Sequence, residues 1–155
     1  MNYQRVVILK EKEGDRYLPI WIGPHEAESI AVKLQNITVT RPMSHDLMDN
    51  IISTLGGKII HILITDLEND TFYAQIIVRG MNGEQISIDS RPSDAIALAI
   101  RSKAQIFASE SVLDKAGVSI DSELGKSIQN LDKEDDGVID NSVDEDEIQN
   151  MSAFR

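Results

Sequence analysis

Residues 88–103 read Ile-Asp-Ser-Arg-Pro-Ser-Asp-Ala-Ile-Ala-Leu-Ala-Ile-Arg-Ser-Lys, and no other stretch limits the fold as much. It is a strand end, a sharp turn and a helix start within a few residues. Pro92 suits the first helical position, where a missing N–H costs nothing. Ser93 and Asp94 can bond the free N–H groups of the first turn and face the positive end of the helix dipole. Ile96, Ala99 and Ile100 follow at helical spacing, so one side of this helix is apolar and buried. The chain repeats the device. Arg41-Pro42-Met43-Ser44-His45-Asp46-Leu47 again sets Arg-Pro before a helix with an acid in its first turn, and Gly23-Pro24-His25-Glu26-Ala27 is a third version without the arginine. If the protein has a site, these three helix starts are expected to converge on it.

The remaining pattern is mixed. Residues 3–9 and 17–22 are β-branched and apolar around the turn signal Glu13-Gly14-Asp15-Arg16, which predicts a hairpin. Ala27, Ile30, Ala31 and Leu34 give an amphipathic helix ending near Gln35. Ser44 is a good N-cap for the next helix, whose buried stripe is expected to be Leu47, Ile51 and Leu55, widened by Met48 and Ile52. Residues 58–66, 72–79 and 84–89 are strand-like and separated by Asn69-Asp70 and Met81-Asn82-Gly83, a meander of antiparallel strands. A short strand at 106–108 and a short helix at 110–116 follow. The lone Trp21 is expected in the core, and His61 is expected to be exposed on its strand.

Charge divides the chain. Of the net −11, residues 121–155 hold 11 acids against 3 bases, while residues 1–120 hold 15 against 12. Leu124, Ile128 and Leu131 allow one more helical stripe, but the acid-rich run from Asp132 cannot bury enough to offset its ordering entropy. The expected fold is therefore α+β: antiparallel strands and hairpins packed with about four helices, one domain over 1–120 and an acidic, disordered or loosely docked tail over 121–155. The body lacks the strong basic excess of a surface that binds nucleic acid tightly. The absence of cysteine fits a reducing cytoplasm. The first residues are not a signal peptide, and no apolar run reaches the ~18 residues of a membrane span.

Four motifs, Tyr17-Leu-Pro-Ile-Trp-Ile-Gly-Pro-His-Glu-Ala, Arg41-Pro-Met-Ser-His-Asp-Leu, Ile64-Thr-Asp-Leu with Thr71-Phe-Tyr-Ala, and Ile88-Asp-Ser-Arg-Pro-Ser-Asp-Ala-Ile-Ala-Leu-Ala, together resemble the bifunctional nuclease family. They span nearly all of residues 1–118 in the family's order. Met43 and Ser44 stand where leucine and threonine are expected. The short helical interaction module that some bacterial members carry after the core has no clear copy here. The resemblance implies a nuclease that degrades DNA and RNA.

Read on their own terms, Glu26, Asp46, Asp89 and Asp94 are carboxylates at or beside helix starts. They are candidate ligands for Mg²⁺ or Mn²⁺, which take oxygen donors, or candidate bases. First-turn acids also stabilise helices with no chemistry at all. Arg41 and Arg91, with Ser93, can grip a phosphate near a positive helix end, or each arginine can lock its own turn through a neighbouring carboxylate. His45 beside Asp46 can move a proton or serve as a cap; His25 is the weaker histidine. The expected partners are DNA and RNA as substrates, with no membrane, and the sequence leaves a homo-oligomer open. The rival expectation is a non-catalytic module that binds a small anion or a protein. The direction of these side chains separates the two: a nuclease needs several of them in one solvent-open cleft.

Overall fold

The computed structural model describes residues 5–132 and 151–154. Strands β1 (Arg5–Lys10) and β2 (Arg16–Ile22) form the expected hairpin, with Val7 opposite Ile20 and Leu9 opposite Leu18. Arg16 fixes its corner, donating to Glu11 at 2.9 and 3.0 Å and to Glu110 at 3.1 and 3.3 Å. Strand alternation puts Leu18 and Ile20 inward and turns Trp21 out beside Val6. Trp21 is 65% exposed and not part of the core.

Helices α1 (Pro24–Leu34) and α2 (Ser44–Thr54) follow, then β3 (Lys58–Glu68), β4 (Thr71–Arg79) and β5 (Gln85–Ser90). These three strands are the predicted meander. Asn69 and Asp70 both adopt left-handed backbone (φ 48° and 59°), the conformation a two-residue hairpin turn requires. Helix α3 (Pro92–Ser102) then crosses the sheet and delivers β6 (Gln105–Ser109) parallel to β3 on its free side. That parallel pair adds to the expected antiparallel strands, and it exists because a helix intervenes between β5 and β6. Helix α4 (Glu110–Ala116), β7 (Val118–Ser119, paired with β2) and α5 (Glu123–Asp132) complete the body, and β8 (Met151–Phe154) pairs antiparallel with β6. The sheets are β1-β2-β7 and β5-β4-β3-β6-β8. The architecture is α+β around one core. Within residues 121–155 the chain supplies α5 and β8; the expected tail over 133–150 and the strand start at Tyr3 lie outside the described residues. Among the described residues no helix is long and apolar enough to cross a membrane.

The core is built on α3. Ala95, Ile96, Ala97, Leu98 and Ala99 are all at most 3% exposed, so this helix is buried all round and not on one side only. Its alanines let α1 and α2 pack close on one flank, while β3, β4 and β6 cover the other. Replacing Ile96 with alanine would remove a packed side chain at a cost of about 2–5 kcal/mol.

Helix α2 reverses its expectation. Leu47, Ile51 and Leu55 are 53%, 49% and 70% exposed, and the residue α2 buries is His45. Its N-cap is also Met43 and not Ser44: the Met43 N–H is accepted by Asp46 Oδ2 at 2.8 Å. The physical reason lies in the polar contacts of its first turn.

Candidate functional site

The three proline-led helix starts do meet. Arg91, at the N-cap of α3, donates from Nε to Asp94 Oδ2 (2.7 Å) and from Nη2 to Asp94 Oδ1 (3.1 Å), and its Nη2 lies 3.0 Å from Glu26 Oε1 in the first turn of α1. Asp94 Oδ1 is also 3.0 Å from His45 Nε2, contributed by the first turn of α2. The other ring nitrogen of His45, Nδ1, lies 2.8 Å from Ser29 Oγ on α1. Ser29 Oγ accepts from Arg101 Nη2 at 3.0 Å. Arg101, near the end of α3, closes the chain by donating from Nε to Asp46 Oδ1 at 2.6 Å, with further bonds to the carbonyls of Ala97 (2.9 Å) and Ser29 (3.2 Å).

Helical spacing explains this array. Asp94 and Arg101 are seven residues apart on α3, hence on one face two turns apart. Glu26 and Ser29 are three apart on α1. The adjacent residues His45 and Asp46 of α2 bridge that face, one reaching Asp94 and the other Arg101. Satisfying them turns α2 so that its polar first turn faces inward.

The bonding pattern assigns the tautomer of His45. With Arg101 donating to Ser29 Oγ, the hydroxyl proton is free for Nδ1, which leaves Nε2–H for Asp94. The result looks like a Ser–His–carboxylate triad, but Ser29 is 2% exposed, so its hydroxyl cannot meet a substrate as a nucleophile. The network opens to solvent at its other end, where the Arg91 side chain is 67% exposed and its Nη1 has no bond among the described residues. Asp94 and Glu26 are mostly covered beneath it.

Both bridging acids are held ionised. For Asp94, burial pushes the carboxyl up, but hydrogen bonds from Arg91 and His45 outweigh it and the net shift is downward. For Asp46, burial is likewise outweighed, by the Met43 N–H and by Arg101. Arg91 is raised, first by its bond to Asp94.

Four of the expected site residues thus share one contact chain directly: Glu26, Arg91, Asp94 and His45. Asp46 joins it through Arg101 and Ser29. Arg41 is exposed and has no hydrogen bond or ion pair among the described residues. Asp89 is exposed too, and strand pairing explains why: it sits opposite Gln75, whereas its neighbour Ile88 sits opposite the buried Ile76 on the face that α3 covers. Asp89 therefore points away from the helix layer. Ser93 is buried in the first turn of α3, His25 is exposed, and His61 is half-buried against the Phe107 ring at 5.4 Å.

Sequence reasoning missed Ser29 and Arg101. The signal for Arg101 was a lone arginine following six residues of alanine, isoleucine and leucine, Ala95 to Ile100, and standing seven residues after Asp94. Among the described residues, no group of three or more His, Asp or Glu is arranged to hold a metal ion. The carboxylates expected to serve as ligands are instead bonded to Arg91, Arg101 or a backbone N–H, or, for Asp89, stand apart. The residues as arranged do not fit a resident Mg²⁺ or Mn²⁺.

Known proteins extend this picture. An uncharacterized protein of Mycobacterium tuberculosis is 40% identical over 133 residues, covering 86% of this chain and 79% of that protein. Bifunctional nuclease 1 of Oryza sativa subsp. japonica is 26% identical over 117 residues, 74% of this chain but 35% of the rice protein. Bifunctional nuclease 1 of Arabidopsis thaliana is 26% identical over 103 residues, 64% of this chain and 32% of that protein. The bifunctional nuclease domain matches residues 7–121, a span that starts inside β1 and takes in all three helix starts and the whole Glu26-to-Asp46 network. By that match the chain belongs to the bifunctional nuclease domain family.

Proposed function

We propose that the protein hydrolyses phosphodiester bonds of DNA and RNA, in the cytoplasm, at the open end of the network. One observation carries the reading: the exposed Arg91 guanidinium is pinned by Glu26 and Asp94, with Nη1 unbonded among the described residues, and Asp94 in turn meets His45. A phosphate oxygen takes the free donor, and the fork then stabilises charge that builds on phosphorus during attack. As the phosphate draws Arg91 away from Asp94, the carboxylate loses the strongest contact holding it ionised. It thereby becomes a better base and accepts the proton of the attacking water. The His45 Nε2–H keeps its other bond and orients it. The P–O bond to the leaving group breaks, and that oxygen is protonated from solvent. A divalent ion enters this reading only as a variable of the assay.

A second reading is favoured by the saturation of the acids. With three of the four candidate carboxylates, Glu26, Asp46 and Asp94, already bonded, Arg91 can dock an anion without turnover, as in a binding module. The assay that decides uses purified protein with plasmid and with RNA, in Mg²⁺, Mn²⁺ or chelator, beside Asp94→Asn and Arg91→Met prepared identically. Hydrolysis should fall at least ~100-fold in Asp94→Asn, while Arg91→Met should lose substrate binding as well. Undiminished cleavage by Asp94→Asn would remove the hydrolytic role of this site. Binding by the parent chain that needs Arg91 but yields no product would establish the binding module.

A further inference from the structure

We propose that the outward face of α2 is the interface of a two-fold symmetric homodimer. Every exposed residue of α2 is uncharged, while its two acids, Asp46 and Asp49, are half-buried against the body. Ordinary surface helices show the opposite polarity. The inversion has a local cause: the first turn must face inward to bring His45 to Asp94 and Asp46 to Arg101. That rotation leaves Leu47, Met48, Ile51 and Leu55 in solvent, at 53%, 44%, 49% and 70% exposure. The patch continues past the end of the helix. A side-chain carbon placed on Gly56 would stand 3.0 Å from Met81 Cγ, so Met81, itself 75% exposed, borders Leu55.

Three features point to a second copy as the occupant. The first is symmetry. Leu47 and Leu55 stand four residues either side of Ile51, so a two-fold axis through Ile51 lays Leu47 of one copy on Leu55 of the other. An isologous interface requires such self-complementarity. The second is charge. Two chains of net −11 repel one another overall, and the outward face of α2 carries none of that charge. A nucleic acid would want basic residues there, and none is present. The third is area. The five apolar side chains present on the order of 500 Å², against the roughly 800 Å² per partner of a standard interface. The polar rim of Asn50 and Thr54 adds to it, which gives an interface at the small end of the range.

The test uses the full chain, of 17.2 kDa. Sedimentation equilibrium across a concentration series should give twice that mass. Ile51→Glu should weaken association at least 100-fold while leaving the melting temperature unchanged at concentrations low enough for both proteins to be monomeric, since Ile51 is half exposed in the monomer. Leu47→Lys and Leu55→Glu should each weaken it, and combining both in one chain should restore it, because each lysine then faces a glutamate. The chain has no cysteine, so Ile51→Cys should form an intermolecular disulfide across the axis under mild oxidation, while Trp21→Cys, on a different exposed apolar surface, should not. A monomer at all concentrations overturns the proposal. So does a dimer that survives Ile51→Glu, or one lost on Trp21→Ala, which would place the contact on the β1–β2 face.

Discussion

The starts of α2 and α3 look alike in sequence but differ in register: Arg41-Pro42 stands just before the N-cap of α2, with Asp46 five residues after the arginine, whereas Arg91 is itself the N-cap of α3 and Asp94 follows it by three. The structure uses them differently. At α3 the local arginine turns onto its own acid, Asp94, and also reaches Glu26. At α2 the local arginine stays in solvent, and Asp46 takes its guanidinium from Arg101, 55 residues away and with a side chain only 3% exposed. One pair is an exposed rim contact and the other an interior tie. Similar motifs therefore end in different ties: spacing and register decide which arginine each acid meets, and solvent decides how much the tie contributes. A pair in water gains little, whereas an interior charge left without its partner is severely destabilising.

The sharpest way to break the comparison is to remove each arginine in turn. Arg101→Met should cost about 3–5 kcal/mol, because Asp46 and Ser29 are left short of a buried donor. Arg91→Met should cost only about 0–1 kcal/mol, since that side chain is mostly in water. Arg41→Met should fall within about 0.5 kcal/mol. Urea unfolding of the three variants checks the order. If Arg91→Met cost as much as Arg101→Met, the rim would be as structural as the interior.

Acid titration sharpens it further. Asp46 and Asp94 are both held below the ordinary carboxylate range in the folded chain. Their contribution is therefore complete above the unfolded value near ~4 and is lost as pH falls through the lower folded values. Asp46→Asn with Asp94→Asn should lower stability at pH 7 and flatten its decline below pH ~4. The comparison to make is urea midpoint against pH for parent and variant. Equal acid limbs in the two proteins would show that these carboxylates are not what acid unfolds.

The smallest effect concerns the acidic end. Truncation after Asp132 removes β8 from the β6 edge and should cost less than about 2 kcal/mol, a few partly solvated backbone bonds. It also removes much of the excess negative charge, so single-stranded DNA should bind more tightly and with steeper salt dependence. Melting temperature and dissociation constant across a salt series measure both. Equal affinity at low salt would mean the charge does not restrain binding.

Much of the fold was legible because its signals are local. The hairpin over β1 and β2, the Asn69-Asp70 turn and the proline at the start of α3 are each set by a few adjacent residues whose backbone preferences permit little else. Part of the site was legible for the same reason: Glu26, Asp94 and Arg91 are first-turn or N-cap residues, and a helix start fixes where such side chains go. Asp89 was misplaced, although the alternation of Ile86 and Ile88 with Asp89 already assigned it to the other face of its strand.

What the chain pattern could not decide was which way α2 turns. Its apolar periodicity is real, and in isolation Leu47, Ile51 and Leu55 define the face to bury. Tertiary structure overrode it because His45 and Asp46 found buried partners on α1 and α3. An unpaired polar group in the interior costs more than burying a leucine that is otherwise half exposed would save. The sequence by itself determined that three helix starts each bring a nearby proline and a first-turn carboxylate. Only the packing of those helices decided that Arg101 and Ser29 would join them, that Arg41 would not, and that α2 would show its hydrophobic side to solvent.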